Sequence, residues 1–393
     1  MAFKNHVLFH VLTLVFISFS LAQNSSSGVI PSQTSTSYRA IKTLPAAINQ
    51  GVTLLPNLFD PQAINPQDVC PGYIAGQVSR TKRGMTARLS LAGPACNVYG
   101  TDVNDLNLTV EYQAQDRLEI YITPTYVGSA NSSWFVLPEA LIPKPVMEYS
   151  GNMTVPDSDL LFSYSNSPTF NFQVIRQSNG DNLFNTNGSK LVFENQFVEF
   201  ASVLPENYNI YGLGEVITNL RLGNNYNRTI YAADVGDPPD QNLYGSQTFY
   251  LDTRYYTKNT TTGIESYVAN ATMDNGNYVS YSHGVFLRNA HAQEILLRPS
   301  NITWRTIGGS IDLYFYSGPT QKKVTESYQT STIGLPGMQQ YFTFGYHQCR
   351  WGYTNWSQLN DVVSNFNKFN LPLENLWVDI DYMNVSLLDC FSK

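Results

Sequence analysis

Two short segments of this 393-residue chain concentrate side chains able to do chemistry: Gly345-Tyr-His-Gln-Cys-Arg-Trp-Gly-Tyr353 and Trp377-Val-Asp-Ile-Asp-Tyr-Met383. They offer two indole faces, a guanidinium and two carboxylates. Sugars suit that combination, because pyranose rings stack on aromatic faces while charged donors and acceptors fix hydroxyls. The plainer alternative is a core tryptophan beside a solvated arginine. Asp379 and Asp381 stand at i and i+2, and on a strand they would share a face with Cα atoms about 6.6 Å apart. That spacing lies within the range of about 5 to 9.5 Å for glycosidase carboxylate pairs. Acid and nucleophile must approach a sugar from different directions, however, so hydroxyl binding suits two neighbours on one strand better. A rival reading takes Asp379-Ile-Asp381 as the acidic triplet with which a glycosyltransferase holds a divalent ion.

These segments need a scaffold that brings them together. Tyr341–Gly345 reads as a short apolar strand, and Leu376–Ile380 as a second. Between them Leu359, Val362, Val363 and Phe366 recur at helical spacing over Trp356–Phe369, with Asn355 or Ser357 as the cap. Strand, helix, strand within about 40 residues is a βαβ unit of a parallel sheet. Ligands in such sheets bind beyond the carboxyl ends of the strands, so both segments point at one mouth.

Upstream, the period is two. Leu106–Tyr112 and Arg117–Ile122 alternate apolar with polar residues, and related runs recur at Leu191–Phe200, Tyr278–Tyr281, Gly284–Leu287, Ile295–Leu297, Ile302–Ile307 and Ile311–Tyr316. Short strands separated by Gly, Asn and Pro predict an antiparallel β-sandwich reaching about Pro319. A helix over Thr320–Thr332 follows, with Pro319 able to occupy its first turn. The expected class is therefore mainly β: a sandwich over residues 66–335, then the first βαβ portion of a truncated (β/α)8 barrel over 336–383. A whole barrel needs about 250 residues, far more than remain.

Charged residues are only 13% of the chain and the net charge is −7, which leaves no basic field for nucleic acid or anionic lipid. Residues 1–22, with Lys4, an apolar run and Ser20-Leu-Ala22, read as a secretory signal, and 23–65 as a flexible lead-in. The expected location is extracellular, with no membrane attachment once the signal is removed. Asn-x-Ser/Thr triplets fit this: Asn107, Asn131, Asn152, Asn187, Asn227, Asn259, Asn270, Asn301 and Asn355 are candidate glycosylation sites, with further triplets at Asn24 and Asn384. Cys70 and Cys96 bracket a turn-rich stretch and form the best disulfide candidate in an oxidising compartment. Cys349 and Cys390 match no zinc spacing, so no metal and no cofactor are expected. Gly212-Leu-Gly-Glu215 lacks a third glycine and reads as a turn, and no Gly-x-Ser-x-Gly elbow accompanies His283, His291 or His347.

The chain resembles the glycoside hydrolase family 31 α-glucosidases, particularly secreted fungal ones. The likeness is carried by Cys70-Pro-Gly-Tyr73, Ala95–Gly100, Tyr211–Glu215, Asn242-Leu-Tyr-Gly-Ser246, His283–Asn289, Gly345–Tyr353 and Trp377–Met383, in that order over residues 65–383. The resemblance implies a mutarotase-like N-terminal sandwich before a (β/α)8 barrel, and retaining hydrolysis of terminal α-linked glucose in malto-oligosaccharides or α-glucans. By resemblance Asp379 binds a glucose hydroxyl, Trp351 lines the same pocket, and Asp234 is lent by a loop of the β-domain. Asp381 and Arg350 complete the substrate-binding set in supporting roles, with His347 in the same motif. No catalytic residue is assigned, because nucleophile and acid/base belong to later barrel strands. The stretch 384–393 departs from the family pattern, and the expectation is an inactive, truncated form. The alternatives are a non-catalytic secreted carbohydrate-binding sandwich or the metal-dependent glycosyltransferase.

Overall fold

Alternation of apolar and polar residues places one face of each strand on a core, and the computed structural model shows which strands share it. It describes residues 62–127, 157–233, 236, 238–272 and 278–383. The expected signal, most of the lead-in, Asn24, Asn131, Asn152, Asp234 and the tail with Asn384 and Cys390 lie outside the described residues. The chain divides into two units between Thr332 and Ile333.

In the first unit the strands run β1 (Tyr73–Thr81), β2 (Gly84–Leu91), β3 (Asp105–Ala114), β4 (Arg117–Pro124), β5 (Leu160–Ser165), β6 (Asn171–Arg176) and β7 (Asp181–Asn185). There follow β8 (Val192–Glu194), β9 (Phe197–Val203), β10 (Ile210–Gly212), β11 (Tyr226–Ile230), β12 (Phe249–Lys258) and β13 (Glu265–Tyr267). The last are β14 (Tyr278–Leu287), β15 (Gln293–Arg298), β16 (Asn301–Thr306) and β17 (Ile311–Tyr316). A nine-stranded sheet has the order β1-β2-β3-β4-β17-β14-β12-β10, with β13 also paired to β12. A five-stranded sheet has the order β11-β15-β16-β9-β8, and β5-β6-β7 form a third. Each of these pairings is antiparallel.

One core joins the three sheets. Tyr250 on β12 stacks on Trp304 of β16 with centroids 6.0 Å apart, and Phe184 on β7 meets Phe315 of β17 edge-on at 5.2 Å. On β17, Ile311, Leu313 and Phe315 enter this core, while Tyr314 and Tyr316 face the opposite way. That second face is covered by helix α1 (Gln321–Tyr328), whose Val324 and Tyr328 pack on Phe249, Leu251 and Tyr316. Gly284 makes the approach possible, since a Cβ there would stand 2.6 Å from Val324 Cγ1. Pro319 precedes the helix rather than occupying its first turn: Thr320 is the cap and accepts from the Lys323 amide. The helix is shorter than predicted, because residues Gln329–Ile333 continue it as a π turn.

Two ionic clusters are sealed in this unit. Arg254 links Asp181 at 2.6 Å to Asp252 at 2.9 Å, beside a fully buried His283 that burial keeps neutral. Glu119 and Asp312 share the other face of the large sheet, where Tyr314 donates to Glu119 at 3.0 Å and Arg288 pairs with Asp312 at 2.7 Å. Burial, with the neighbouring Asp312 charge, pushes Glu119 up to about 7.

The second unit contains β18 (His347–Cys349), α2 (Trp356–Lys368) and β19 (Asn375–Trp377), the two strands pairing in parallel. The βαβ order matches the reading, but both strands are misplaced by it. Tyr341–Phe344 is a 3-10 turn, closed by the Thr343 hydroxyl donating to the Gln340 carbonyl, a side-chain bond that competes with strand pairing. The second strand stops at Trp377, because Asp379 takes φ +64° and opens another 3-10 turn, Asp379–Tyr382. Asp379 and Asp381 therefore do not share a strand face.

Candidate functional site

The register that sets His347 opposite Asn375 and Cys349 opposite Trp377 brings the ends of β18 and β19 together. Two cross-links hold them. Trp377 Nε1 stands 2.9 Å from His347 Nδ1, and an indole nitrogen can only donate, so Nδ1 is the acceptor. The proton of a neutral ring then sits on Nε2, which faces the Thr343 carbonyl at 3.1 Å and lies 3.2 Å from the Asn375 amide nitrogen. One imidazole thereby ties the Tyr341–Phe344 turn to the second strand.

The other cross-link is a carboxylate. Asp381 Oδ2 accepts from the Gly352 amide at 2.7 Å, drawing the Arg350–Gly352 loop to the end of β19. Gly352 has φ +103°, a conformation available to glycine without Cβ strain. Asp381 thereby latches the loop to the strand end. Arg350 lies over the Tyr353 ring at 5.7 Å, with Gln348 donating to the Tyr353 hydroxyl at 3.3 Å. Trp351 is 73% exposed, an aromatic face presented to solvent from a latched loop. Asp379 uses Oδ1 to accept from the next amide, Ile380, at 2.7 Å, which orients the carboxylate at the strand end.

Helix α2 backs the mouth. Asn355 is its cap, accepting from the Gln358 amide at 3.1 Å, while Ser357 lies inside the helix. Phe366 on α2 packs against Tyr346, just ahead of β18, with centroids 5.5 Å apart.

In the first unit the structure ties together two motifs that the sequence showed only as separate strings. Arg228, on β11, is 2% exposed. Its Nε donates to the Leu213 carbonyl at 2.7 Å, Nη2 to Glu215 at 2.8 Å, and Nη1 to Asn242 Oδ1 at 2.7 Å. The turn Gly212–Glu215 and the segment Asn242–Ser246 are thus pinned to one guanidinium. Sequence reasoning passed over Arg228; the available signal was a cation at the inward parity of Tyr226, Arg228 and Ile230. Asp234, expected on the neighbouring loop, is outside the described residues.

Cys70 and Cys96 are joined in a disulfide with Cα atoms 4.9 Å apart. Among the described residues, Cys70, Cys96 and Glu194 bring ligand atoms within 4.8 Å of one another. The bonded sulfurs and the Glu194 carboxylate, which accepts the Val98 and Tyr99 amides, are already engaged. Of the glycosylation candidates, Asn107, Asn187, Asn259, Asn270 and Asn355 are exposed, and Asn227 is half-buried with its Oδ1 taken by Arg298. Asn301, by contrast, is 2% exposed at the start of β16.

Residues 336–392 match the family described as Glycosyl hydrolases family 31 TIM-barrel domain. An alpha-glucosidase of Aspergillus oryzae is 56% identical over 368 residues, covering 93% of this chain and 37% of the relative. An alpha-glucosidase of Aspergillus niger is 55% identical over 375 residues, with 94% and 37% covered. The chain therefore spans somewhat more than a third of the length of these relatives. Among solved structures, the Flavobacterium johnsoniae GH31 dextranase complexed with glucose superposes with a TM-score of 0.54 at 18% identity, over 80% of this chain and 34% of that one, a likeness of fold.

Proposed function

We propose that this chain, which matches the family 31 barrel-domain description over residues 336–392 and is 55–56% identical to two fungal alpha-glucosidases, carries the glucose-binding mouth of an α-glucosidase-type hydrolase acting on terminal α-linked glucose of malto-oligosaccharides. The supporting observation is the pair of strand ends at which Asp379 and the Trp351 loop meet, the loop being latched by Asp381 to the Gly352 amide. Asp379 holds a sugar hydroxyl, Trp351 supplies the stacking face, and Asp381, Arg350 and His347 keep that face in place. On this reading β18, α2 and β19 are the opening unit of a (β/α)8 barrel.

Retaining hydrolysis needs two carboxyl groups on opposite sides of the anomeric carbon, about 5 to 5.5 Å apart. Asp379 and Asp381 occupy one turn, and Asp381 is already bonded to an amide. Asp379 therefore serves recognition and Asp381 holds the loop in place. We place the protein outside the cell, with residues 1–22 as a signal and Asn107, Asn187, Asn259, Asn270 and Asn355 as the accessible glycan acceptors.

The test is a tryptophan-fluorescence titration of the chain with maltose, run in parallel on Asp379→Asn. A saturable change lost in the variant is expected. An identical titration for both proteins, or no change in the parent chain at saturating maltose, overturns the reading.

A further inference from the structure

The side-chain bond that joins β18 to β19 exists in only one protonation state. Trp377 Nε1 stands 2.9 Å from His347 Nδ1, with the two rings tilted by 51° and their centroids 5.8 Å apart. An indole nitrogen donates and never accepts, so Nδ1 must offer its lone pair. An imidazolium has none to offer, because both of its nitrogens carry protons. Nε2 is indifferent to the change: it faces the Thr343 carbonyl at 3.1 Å and can donate there from either form. The Asn375 amide, 3.2 Å from Nε2, does not restore an acceptor at Nδ1. Protonation therefore sets two N–H groups against each other across the strands and leaves the bond to the turn intact.

Histidine is the side chain whose charge ordinarily changes between pH 5 and 8. His347 is half-buried and Trp377 is 57% exposed, so water reaches the pair. The ionisable groups on the elements around the ring are Tyr341 on the turn, Tyr346 ahead of β18, Cys349 on it and Arg350 beyond it. Glu374 precedes β19, and Asp379 and Asp381 follow it. Helix α2, which meets Tyr346 through Phe366, carries Asp361 and Lys368. Among the described residues the bonds of the ring go to none of these but to Thr343, Asn375 and Trp377, so its own proton decides whether the strands are joined. What the bond holds is the end of β19: Trp377 is its last residue, and only Val378 separates it from Asp379 and the left-handed turn at φ +64°.

We propose that His347 is a positioning residue of the glucose mouth that works only when neutral. Its bond to Trp377 sets the end of β19, and with it Asp379; acidification through the histidine range releases both. The positioning role rests on the carbohydrate reading above, whereas the clasp between the two rings does not.

The clasp is tested by following the Trp377 indole N–H by heteronuclear NMR of the full chain from pH 8 to pH 5, beside His347→Asn and Trp377→Phe. The chain has five tryptophans, and the signal missing from Trp377→Phe identifies the one to follow. It should move through a single titration in the parent and stay still in His347→Asn, whose side-chain oxygen can stand in for Nδ1 without gaining a proton. Maltose affinity, measured by calorimetry over the same range, should fall roughly tenfold on acidification of the parent. It should not fall in His347→Asn, nor in Trp377→Phe, which has no N–H to repel. Glu119 also titrates at about 7, and both variants leave it in place, so a pH effect of the parent's size in either one overturns the role of His347. An indole signal that does not move in the parent overturns the clasp. A moving signal with constant affinity overturns the positioning role. A parent chain that binds no maltose at pH 8 removes the carbohydrate reading and the positioning role with it, while the indole signal still decides the clasp.

Discussion

The Glu119 and Asp312 pair makes stability depend on pH in a direction opposite to that of ordinary paired carboxylates. Burial is the main cause of the rise in Glu119 from the ordinary 4.5 to about 7, followed by the Asp312 charge, and the Tyr314 hydroxyl opposes it. Asp312 is raised as well, by burial, against the pull of Arg288. The folded chain therefore holds a proton that the unfolded chain releases earlier. The corresponding stability is complete below about pH 4.5 and is lost as the pH climbs through about 7. At about 1.4 kcal/mol per tenfold change in proton affinity, the Glu119 rise is worth about 3 kcal/mol. Urea unfolding at intervals between pH 5 and 8 should show that loss in the parent chain. Glu119→Gln, which keeps an acceptor for Tyr314 without the charge, should flatten the dependence and raise stability at pH 8. A parent chain equally stable at pH 5 and pH 8, or a variant with the parent's slope, would refute the electrostatic argument.

Three other outcomes follow from packing and capping. Arg254→Met leaves Asp181 and Asp252 buried without their shared cation and should cost about 3 to 5 kcal/mol, read from the urea midpoint. Gly284→Ala drives a methyl into Val324 and Phe249 and should cost about 1 to 3 kcal/mol, whereas Gly76→Ala, with nothing within 4 Å, should be close to neutral by thermal melting. Asn355→Ala should destabilise α2 by about 1 kcal/mol, seen as faster hydrogen exchange in its first turn, while Asn355→Asp keeps the capping oxygen and should not.

The strands most legible in the sequence were those with one wet face. On β3 buried and less buried positions alternate from Leu106 to Tyr112, and that pattern appears in the residue types. Strand β12 was missed because Asp252 and Arg254 interrupt its apolar run, yet Phe249 to Arg254 are all buried; the cluster that neutralises them comes from β7, which local reading cannot supply. The parallel order of the second unit was legible from the helical spacing around Leu359. The exact strand ends were not, because the bond from Thr343 to the Gln340 carbonyl and the left-handed turn at Asp379 are choices of backbone, invisible to hydrophobic pattern.

The same limit applies to the site. Residue types marked Asp379, Trp351 and Arg350 as a sugar-binding set, but only the fold brings Asp381 to the Gly352 amide and the Trp377 indole to His347. Both join residues about 30 positions apart in sequence. Arg228 belongs to the same class: its partners Leu213, Glu215 and Asn242 are strung along the chain, and their convergence is a property of the folded loops.

The most direct measurement is a crystal structure of the chain soaked with maltose. A glucose ring should lie against the Trp351 indole with a hydroxyl within about 2.6 to 3.2 Å of the Asp379 carboxylate, the Asp381 to Gly352 bond remaining in place. Sugar density elsewhere with an empty mouth, or none at saturating maltose, would contradict the assignment of β18 and β19 as the glucose site.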